Sequence, residues 1–399
     1  MNSAETGPSS NDGHFDLLVI GAGQGGGPLA GAFARAGRRV ALVERVHVGG
    51  TCINEGCSPT KTVIASARVA HVASRAAGFG VRLSPGAVVS GQAPNLGVDM
   101  HRVWQRKQAI VDSFRSGSER SLAAAGVELI PGQARFTGPR TVSVADGLGN
   151  GDPNRVARTL TADIVVVNTG LRAAVPDLPG LNGVPYLTST SILELTERPD
   201  HLVVLGGGYV GLEFAQAFRR FGSRVTVVQR DAQLLPREDD DIAEAVTTIL
   251  RDEGIDVLLS ADAVRVERAS GGLRLTYGAR GGDGAERTVD GSHLLVATGR
   301  APNTDDLGLD AAGVAMDQRG YVPVNERLET SAPGVYAIGD VKGGPAFTHI
   351  SYDDFRLLRA NLLQGGRATT SGRLVPYRVF LDPQLGAIGM TVREARASG

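Results

Sequence analysis

A chain of 399 residues is long enough for two or three domains, each with its own core. A formal charge of −1 gives no electrostatic case for nucleic acid or an anionic membrane, and a mean hydropathy of −0.03 fits a soluble globular protein. Two cysteines cannot build a secreted disulfide framework, and no apolar run approaches the ~20 residues that span a bilayer, so the cytoplasm is the expected location.

Residues 1–14 are polar and lack an apolar segment, which predicts a disordered tail rather than a secretory signal. Phe15 to Ile20 is a short apolar run ending in Gly21-Ala22-Gly23-Gln24-Gly25-Gly26, followed by a helical stretch to about Ala36 and a strand from Arg38 to Val43 closed by Glu44. This is a dinucleotide-binding fingerprint. Gly21 makes the tight turn, Gly23 lets the backbone approach a pyrophosphate, and Gly26 lets helix and strand pack closely. Glu44, 23 positions after Gly21 (44 − 21), is placed to accept hydrogen bonds from an adenosine ribose.

The next stretch, Gly49-Gly50-Thr51-Cys52-Ile53-Asn54-Glu55-Gly56-Cys57-Ser58-Pro59-Thr60-Lys61, holds both cysteines. Five residues of undistorted helix would separate their Cα atoms beyond the roughly 7 Å that a disulfide tolerates. The backbone must therefore bend, which Gly49, Gly50 and Gly56 allow, and Pro59 suits the first turn of a helix starting near Ser58. Lys61, one turn from Cys57, favours the thiolate and hence exchange chemistry. Two inert buried thiols, or a zinc site drawing on His47, Cys52, Cys57 and His71, are the alternatives, but the spacing matches neither a zinc ribbon nor a zinc finger. No metal site is expected.

Thr62 to Ala77 continues this helix, residues 81–100 read as a loop, and Arg102 to Ala125 reads as a helix in which Trp104 packs. Val127 to Asp163, broken by Gly147–Asn154, suggests an antiparallel meander. A buried-type strand, Ile164 to Val167, leads into Asn168-Thr169-Gly170, and the design recurs at Leu294 to Val296 before Ala297-Thr298-Gly299-Arg300.

Between these two segments lies a second fingerprint. Leu202 to Leu205 is its strand, Gly206-Gly207-Gly208-Tyr209-Val210-Gly211 its turn, Leu212 to Phe221 its helix and Val225 to Val228 the next strand. The position matching Glu44 is Gln229 (206 + 23), followed by Arg230. A carboxylate there would repel a 2′-phosphate, whereas an amide beside a guanidinium accepts one, so NADPH is expected over NADH. Solvated surface arginines are the alternative. Asp239 to Glu253 then reads as an amphipathic helix, and Ile255 to Asp290 as strands with a hairpin at Gly281–Gly284.

The cysteine stretch, Gly-Gly-Thr-Cys-x-Asn-x-Gly-Cys-x-Pro-Thr-Lys, resembles the signature of the flavoprotein disulfide reductases, the class I pyridine nucleotide disulfide oxidoreductases that include glutathione reductase, lipoamide dehydrogenase and mercuric reductase. The resemblance runs the whole length and leans to the mercuric-reductase-like branch. It implies an α/β chain of two Rossmann-like domains: a flavin domain at 15–170 and 298–370, a nicotinamide domain at 171–297 inserted in it, and the start of an α+β dimerisation domain at 371–399. It implies FAD, with Gly50, Thr51, Thr169, Gly170, Gly299 and Arg300 around the cofactors and Gly339-Asp340 on the ribityl chain. Cys57 becomes the flavin-side thiolate and Cys52 the exchanging thiol. Glu213 becomes the partner of Lys61, Tyr209 the cover of the nicotinamide pocket, and Arg237 a second 2′-phosphate residue.

The implied activity is hydride transfer from NADPH through FAD to Cys52 and Cys57, then to a disulfide, an oxidant or a soft metal ion, in a homodimer. Two departures stand out. Phe347 to Arg356 replaces the small-residue run of glutathione reductase, and none of the seven histidines has a glutamate five positions on, the His-x-x-x-x-Glu acid–base dyad of the family. His349 with Asp354 is the nearest imitation. A dimerisation domain cut short would leave an apolar patch near Val375–Met390 and favours the alternative of a nucleotide-binding protein without turnover.

Overall fold

The computed structural model describes residues 13–81, 97–145, 156–281 and 284–399. The expected tail, most of the loop at 81–100, the stretch Gly147–Asn154 and the tip of the 281–284 hairpin lie outside the described residues, although His14, assigned to the tail, already opens the first strand. The chain forms two units. One comprises residues up to Asn54, Asp112–Arg172 and Ala301–Val375; the other comprises Glu55–Val111, Ala173–Arg300 and Pro376–Gly399.

The first unit is built on a mixed sheet. Its strands run in the order Glu128–Pro131, Val40–Glu44, His14–Ile20, Val156–Val167, Thr141–Ala145, Gln133–Gly138, with Val335–Ala337 also on Val156–Val167. The meander and the buried strand expected from the sequence are joined in one twelve-residue strand: residues before Thr161 pair antiparallel to Thr141–Ala145, and Thr161 to Val167 pair parallel to His14–Ile20. Leu17, Leu18 and Val19 are fully buried on alternating faces, as a parallel sheet covered on both sides requires. One cover is formed by helix Gly26–Arg35 against helix Thr348–Gln364, where Leu29, Ala30 and Phe33 share a cluster with Phe355 and Leu358.

The second unit has an all-parallel sheet in the order Asp256–Leu258, Arg224–Val228, His201–Leu205, His293–Val296, Tyr186–Leu187, beside an antiparallel sheet of Ala261–Ala269, Gly272–Ala279 and Glu286–Gly291. Helix Tyr209–Arg220 starts three residues before its expected beginning because the glycine turn itself supplies the N-cap, Gly208, in extended conformation. It stops at Gly222 (φ +101°), whose N–H returns to Arg219, a left-handed termination that glycine accepts without cost. Helix Cys57–Ser74 contributes Val63 and Ala67 to the cluster that also holds Leu212, Phe214 and Phe218. Among the described residues no helix is long and apolar enough to cross a membrane.

Candidate active site

In the first unit, Gly21 donates to Val43 O at 2.8 Å and Asn168 donates to Ile20 O at 2.8 Å, so three neighbouring strands meet at the turn. Gly21 has φ +100°, and a Cβ there would lie 2.5 Å from the Asn168 carbonyl oxygen; at Gly26 it would lie 2.4 Å from the Gly21 oxygen. No side chain fits at either place. Glu44 accepts from the Ala22 N–H through Oε2 and from the Val46 N–H through Oε1, both at 2.9 Å, so its carboxylate braces the turn it was expected only to face. Gly50 brings helix Gly50–Asn54, which carries Thr51 and Cys52, against this turn: a Cβ on Gly50 would sit 2.7 Å from the Gly23 Cα.

Thr169 lies beside Gly21, and its buried hydroxyl has no hydrogen-bond partner among the described residues. With Gly21, Glu44, Gln133 and Asn303 it lines one cleft. A turn bare of side chains, a carboxylate beside it and an orphaned hydroxyl in the same cleft suit the adenosine end of a dinucleotide such as FAD. Gly339, with Asp340 next to it, is fixed from behind: its N–H donates to Asp354 at 2.9 Å, and Asp354 is itself fully buried and bonded to Arg373 at 2.7 Å. Asp354 is therefore committed to backbone and arginine, and His349 stacks on Phe347 instead.

In the second unit, Gly206 donates to Val228 O at 2.9 Å, Ala297 donates to Leu205 O at 2.8 Å, and Gly206 has φ +112°. A Cβ at Gly211 would lie 2.4 Å from the Gly206 oxygen, while Gly208 and Gly299 face open space. Gln229 departs from expectation. Its side chain is 5% exposed and faces inward, Oε1 accepting from Gly207 N–H at 2.9 Å and Nε2 donating to Asp231 at 3.1 Å, so its amide is spent inside the fold. Arg230 is 70% exposed and pairs with Asp231 at 3.8 Å; Arg237 is exposed.

Cys57 is the first residue of helix Cys57–Ser74 and is exposed, so a thiolate there meets the positive end of the helix. One turn on, Lys61 Nζ lies 2.7 Å from Glu213 Oε2, joining residues 152 positions apart; the lysine side chain is 31% exposed and the glutamate 5%. The Glu213 carboxylate also accepts from the Phe380 N–H at 2.8 Å, and the Phe380 ring lies 4.7 Å from the Lys61 ammonium.

This last contact belongs to a strap that the sequence reading missed. Positions 209, 213, 216 and 220 share one face of helix Tyr209–Arg220. Along it, Glu213 takes Phe380 N–H, Gln216 exchanges two bonds with the Asp382 backbone at 2.9 and 3.0 Å, and Arg220 pairs with the Asp382 carboxylate at 3.0 Å. At the other end, Tyr209 and Tyr377 both donate to the buried Glu238 at 2.7 Å. Burial and the Glu238 carboxylate push both phenols up, Tyr377 to about 12. The expected apolar patch is divided accordingly: Val379 and Leu381 are buried, whereas Ile388 and Met390 are exposed. A run of buried-face polar residues, Glu213, Gln216 and Arg220, was the available signal.

Residues 15–354 match the family model described as pyridine nucleotide-disulphide oxidoreductase. The probable pyridine nucleotide-disulfide oxidoreductase RclA of Escherichia coli is 38% identical over 96% of this chain and 79% of its own length, and its solved structure, a Cu(II) complex described as an HOCl-induced flavoprotein disulfide reductase, superposes with a TM-score of 0.82 at 37% identity over 97% of this chain and 79% of that one. A mercuric reductase of Staphylococcus aureus is 34% identical over 99% of this chain and 69% of its length, and a dihydrolipoyl dehydrogenase of Thermus scotoductus 37% over 96% and 78%. Similarity this even does not single out the mercuric-reductase-like branch. The two glycine turns, the Lys61–Glu213 pair and these relatives converge on one conclusion: the chain belongs to the pyridine nucleotide-disulphide oxidoreductase family, the flavoproteins that work with FAD and a pyridine nucleotide.

Proposed function

We propose that the chain passes two electrons from NADPH through FAD to Cys52 and Cys57 and on to a small acceptor: a disulfide, an oxidant or a soft metal ion. The observation that carries this reading is the 2.7 Å Lys61–Glu213 pair, one helical turn from Cys57. Bound FAD would supply the relay between a nicotinamide hydride and sulfur. Residues 15–170 and 298–370 would bind it, with Gly21, Gly23 and Gly26 on the pyrophosphate, Glu44 on the ribose, Gly50, Thr51, Thr169, Gly170 and Arg300 alongside, and Asp340 on the ribityl chain. Residues 171–297 would take NADPH at Gly206, Gly208 and Gly211, with Tyr209 over the nicotinamide, Gly299 close by and Arg230 and Arg237 toward the 2′-phosphate.

Lys61, oriented by Glu213 and Phe380, keeps a positive charge near Cys57 and stabilises its thiolate. With a disulfide as acceptor, the Cys52 thiolate attacks one substrate sulfur and releases the first thiolate. The Cys57 thiolate then attacks Cys52 and releases the second. Two electrons leave the dithiol, two thiols form after protonation, and the Cys52–Cys57 disulfide awaits the next reduction. The range of acceptors follows the relatives, named as mercuric reductase, dihydrolipoyl dehydrogenase and an HOCl-induced disulfide reductase seen with Cu(II).

A second reading, nucleotide binding without turnover, is favoured by the commitment of Asp354 to Gly339 and Arg373, which keeps it from forming an acid–base dyad with His349. Anaerobic titration of the flavin-loaded protein with NADPH separates the two. A long-wavelength thiolate-to-flavin band that vanishes in Cys57→Ser, together with NADPH oxidation on adding a disulfide or Hg(II), is the expected result. The band without turnover selects the second reading, and no band defeats the redox assignment.

A further inference from the structure

Gln229 cannot read the adenosine ribose, because both ends of its amide are used internally. The carboxylate that stands there instead is Asp231, three positions past the end of strand Arg224–Val228, at the place where Rossmann units discriminate their nucleotides. Its own charge should oppose a 2′-phosphate. Yet Arg280 lies 2.6 Å from Asp231 Oδ1, delivered from just beyond strand Gly272–Ala279.

We propose that Asp231 and Arg280 together set the choice between 2′-phosphate and 2′-hydroxyl, Arg280 cancelling the Asp231 charge so that a phosphorylated ribose is accepted. The inference rests on the reading that the Gly206 turn holds the nicotinamide nucleotide. Three contacts in series link that turn to Arg280: Gly207 N–H to Gln229 at 2.9 Å, Gln229 Nε2 to Asp231 Oδ2 at 3.1 Å, and Arg280 to Asp231 Oδ1 at 2.6 Å.

The backbone fixes the pair as well. Arg280 N–H donates to Ser260 O at 2.8 Å and Ser260 N–H to Asp231 O at 2.9 Å, so the two side chains meet because their main chains are tied through one residue. Asp231 is 29% exposed and Arg280 56%, which leaves donors of the guanidinium open to solvent while it holds the carboxylate. Bare, Asp231 would accept from the 2′- and 3′-hydroxyls and repel a phosphate. Paired, it contributes no net charge, and Arg230 beside it leaves the local balance positive.

The test is calorimetric binding of adenosine 2′,5′-bisphosphate and of 5′-AMP, which differ only in the 2′-phosphate, to the flavin-loaded protein. The wild type should prefer the bisphosphate. Arg280→Gln should weaken the bisphosphate about tenfold and leave 5′-AMP within about twofold, and in an Asp231→Asn background the same change should cost less than about threefold, the coupling a double-mutant cycle isolates. Equal weakening of both probes by Arg280→Gln, an undiminished cost in the Asp231→Asn background, or a wild type indifferent to the 2′-phosphate each overturns the proposal while the nucleotide-binding reading stands. If neither probe binds the wild type and neither NADPH nor NADH reduces its flavin, that reading falls and takes the proposal with it. Melting temperatures within about 2 °C of wild type, as expected for surface substitutions, exclude misfolding as the cause.

Discussion

The two glycine turns are nearly the same object. Offset by 185 positions (206 − 21), Gly21 and Gly206 share a positive φ, a bond to the end of the neighbouring strand and a carbonyl contact from the strand on the other side, and Gly26 and Gly211 would each place a Cβ 2.4 Å from the turn's first oxygen. Their helices differ. Where the second carries Glu213, Gln216 and Arg220, the first carries Pro28, Gly31 and Arg35. The first helix packs Leu29, Ala30 and Phe33 with the apolar residues of helix Thr348–Gln364, whereas the second uses a polar face to hold Lys61 and the strap. Equal backbones can bind equal pyrophosphates. The first turn seats the helix that carries Cys52, and the helix after the second holds Lys61, one turn from Cys57.

The largest expected effects separate the two turns themselves. Gly26→Ala and Gly211→Ala each force a shift of backbone that overpacking puts at about 1–3 kcal/mol, equivalent to roughly five- to 140-fold in affinity where the shift falls on the nucleotide-binding turn. Gly26→Ala should purify with little flavin, seen in the 450 nm absorbance per protein. Gly211→Ala should keep its flavin and show instead a raised KM for NADPH. Loss of flavin from both variants alike would break the division of labour between the turns.

The turns were legible in the sequence because everything that defines them is local: a strand, three glycines, a helix and a residue 23 positions on. Residue type at that last position was legible too, but not its direction. Glu44 and Gln229 both turn back to brace the turn, and nothing in a one-dimensional pattern says that an amide is already occupied. The Lys61–Glu213 pairing came from family resemblance, since no periodicity connects residues 152 apart. The strap was invisible for the same reason. Gln216 and Asp382 are 166 positions apart, and only the oddity of a glutamine that is 3% exposed on a helix betrays that a partner must exist.

That oddity yields the middle prediction. Gln216→Leu leaves the Asp382 N–H and carbonyl oxygen without their partners, at a cost of about 1–3 kcal/mol by the usual penalty for stranded polar groups. The strap should loosen before the unit unfolds, so trypsin should cut after Arg378 faster than in wild type while flavin content stays unchanged. The matching position on the first helix, Gly31, has no polar partner to lose, and a substitution there should leave cleavage at Arg378 unaltered. Unchanged proteolysis in Gln216→Leu would mean that the strap is held by its buried Val379 and Leu381 alone.

The smallest effect lies at the far end of the same face. Burial, then the Arg220 charge, holds the His71 imidazole below its ordinary 6.5, with Arg75 acting in the same direction and Glu253 and Asp382 opposing them. The unfolded chain therefore takes up this proton at a higher pH than the folded one. Stability is full above 6.5, falls as the pH drops toward the lowered folded value, and levels off below it. His201 and His293, also held down by burial, add slopes of the same sign, so His71→Gln should flatten only its own share of the curve. The melting temperature of the wild type relative to the variant, measured between about pH 7 and 5, should fall with the pH, by less than the Gln216→Leu loss because His71 is only partly buried. A pH-independent difference between them would mean that neither burial nor the Arg220 charge lowers the His71 imidazole.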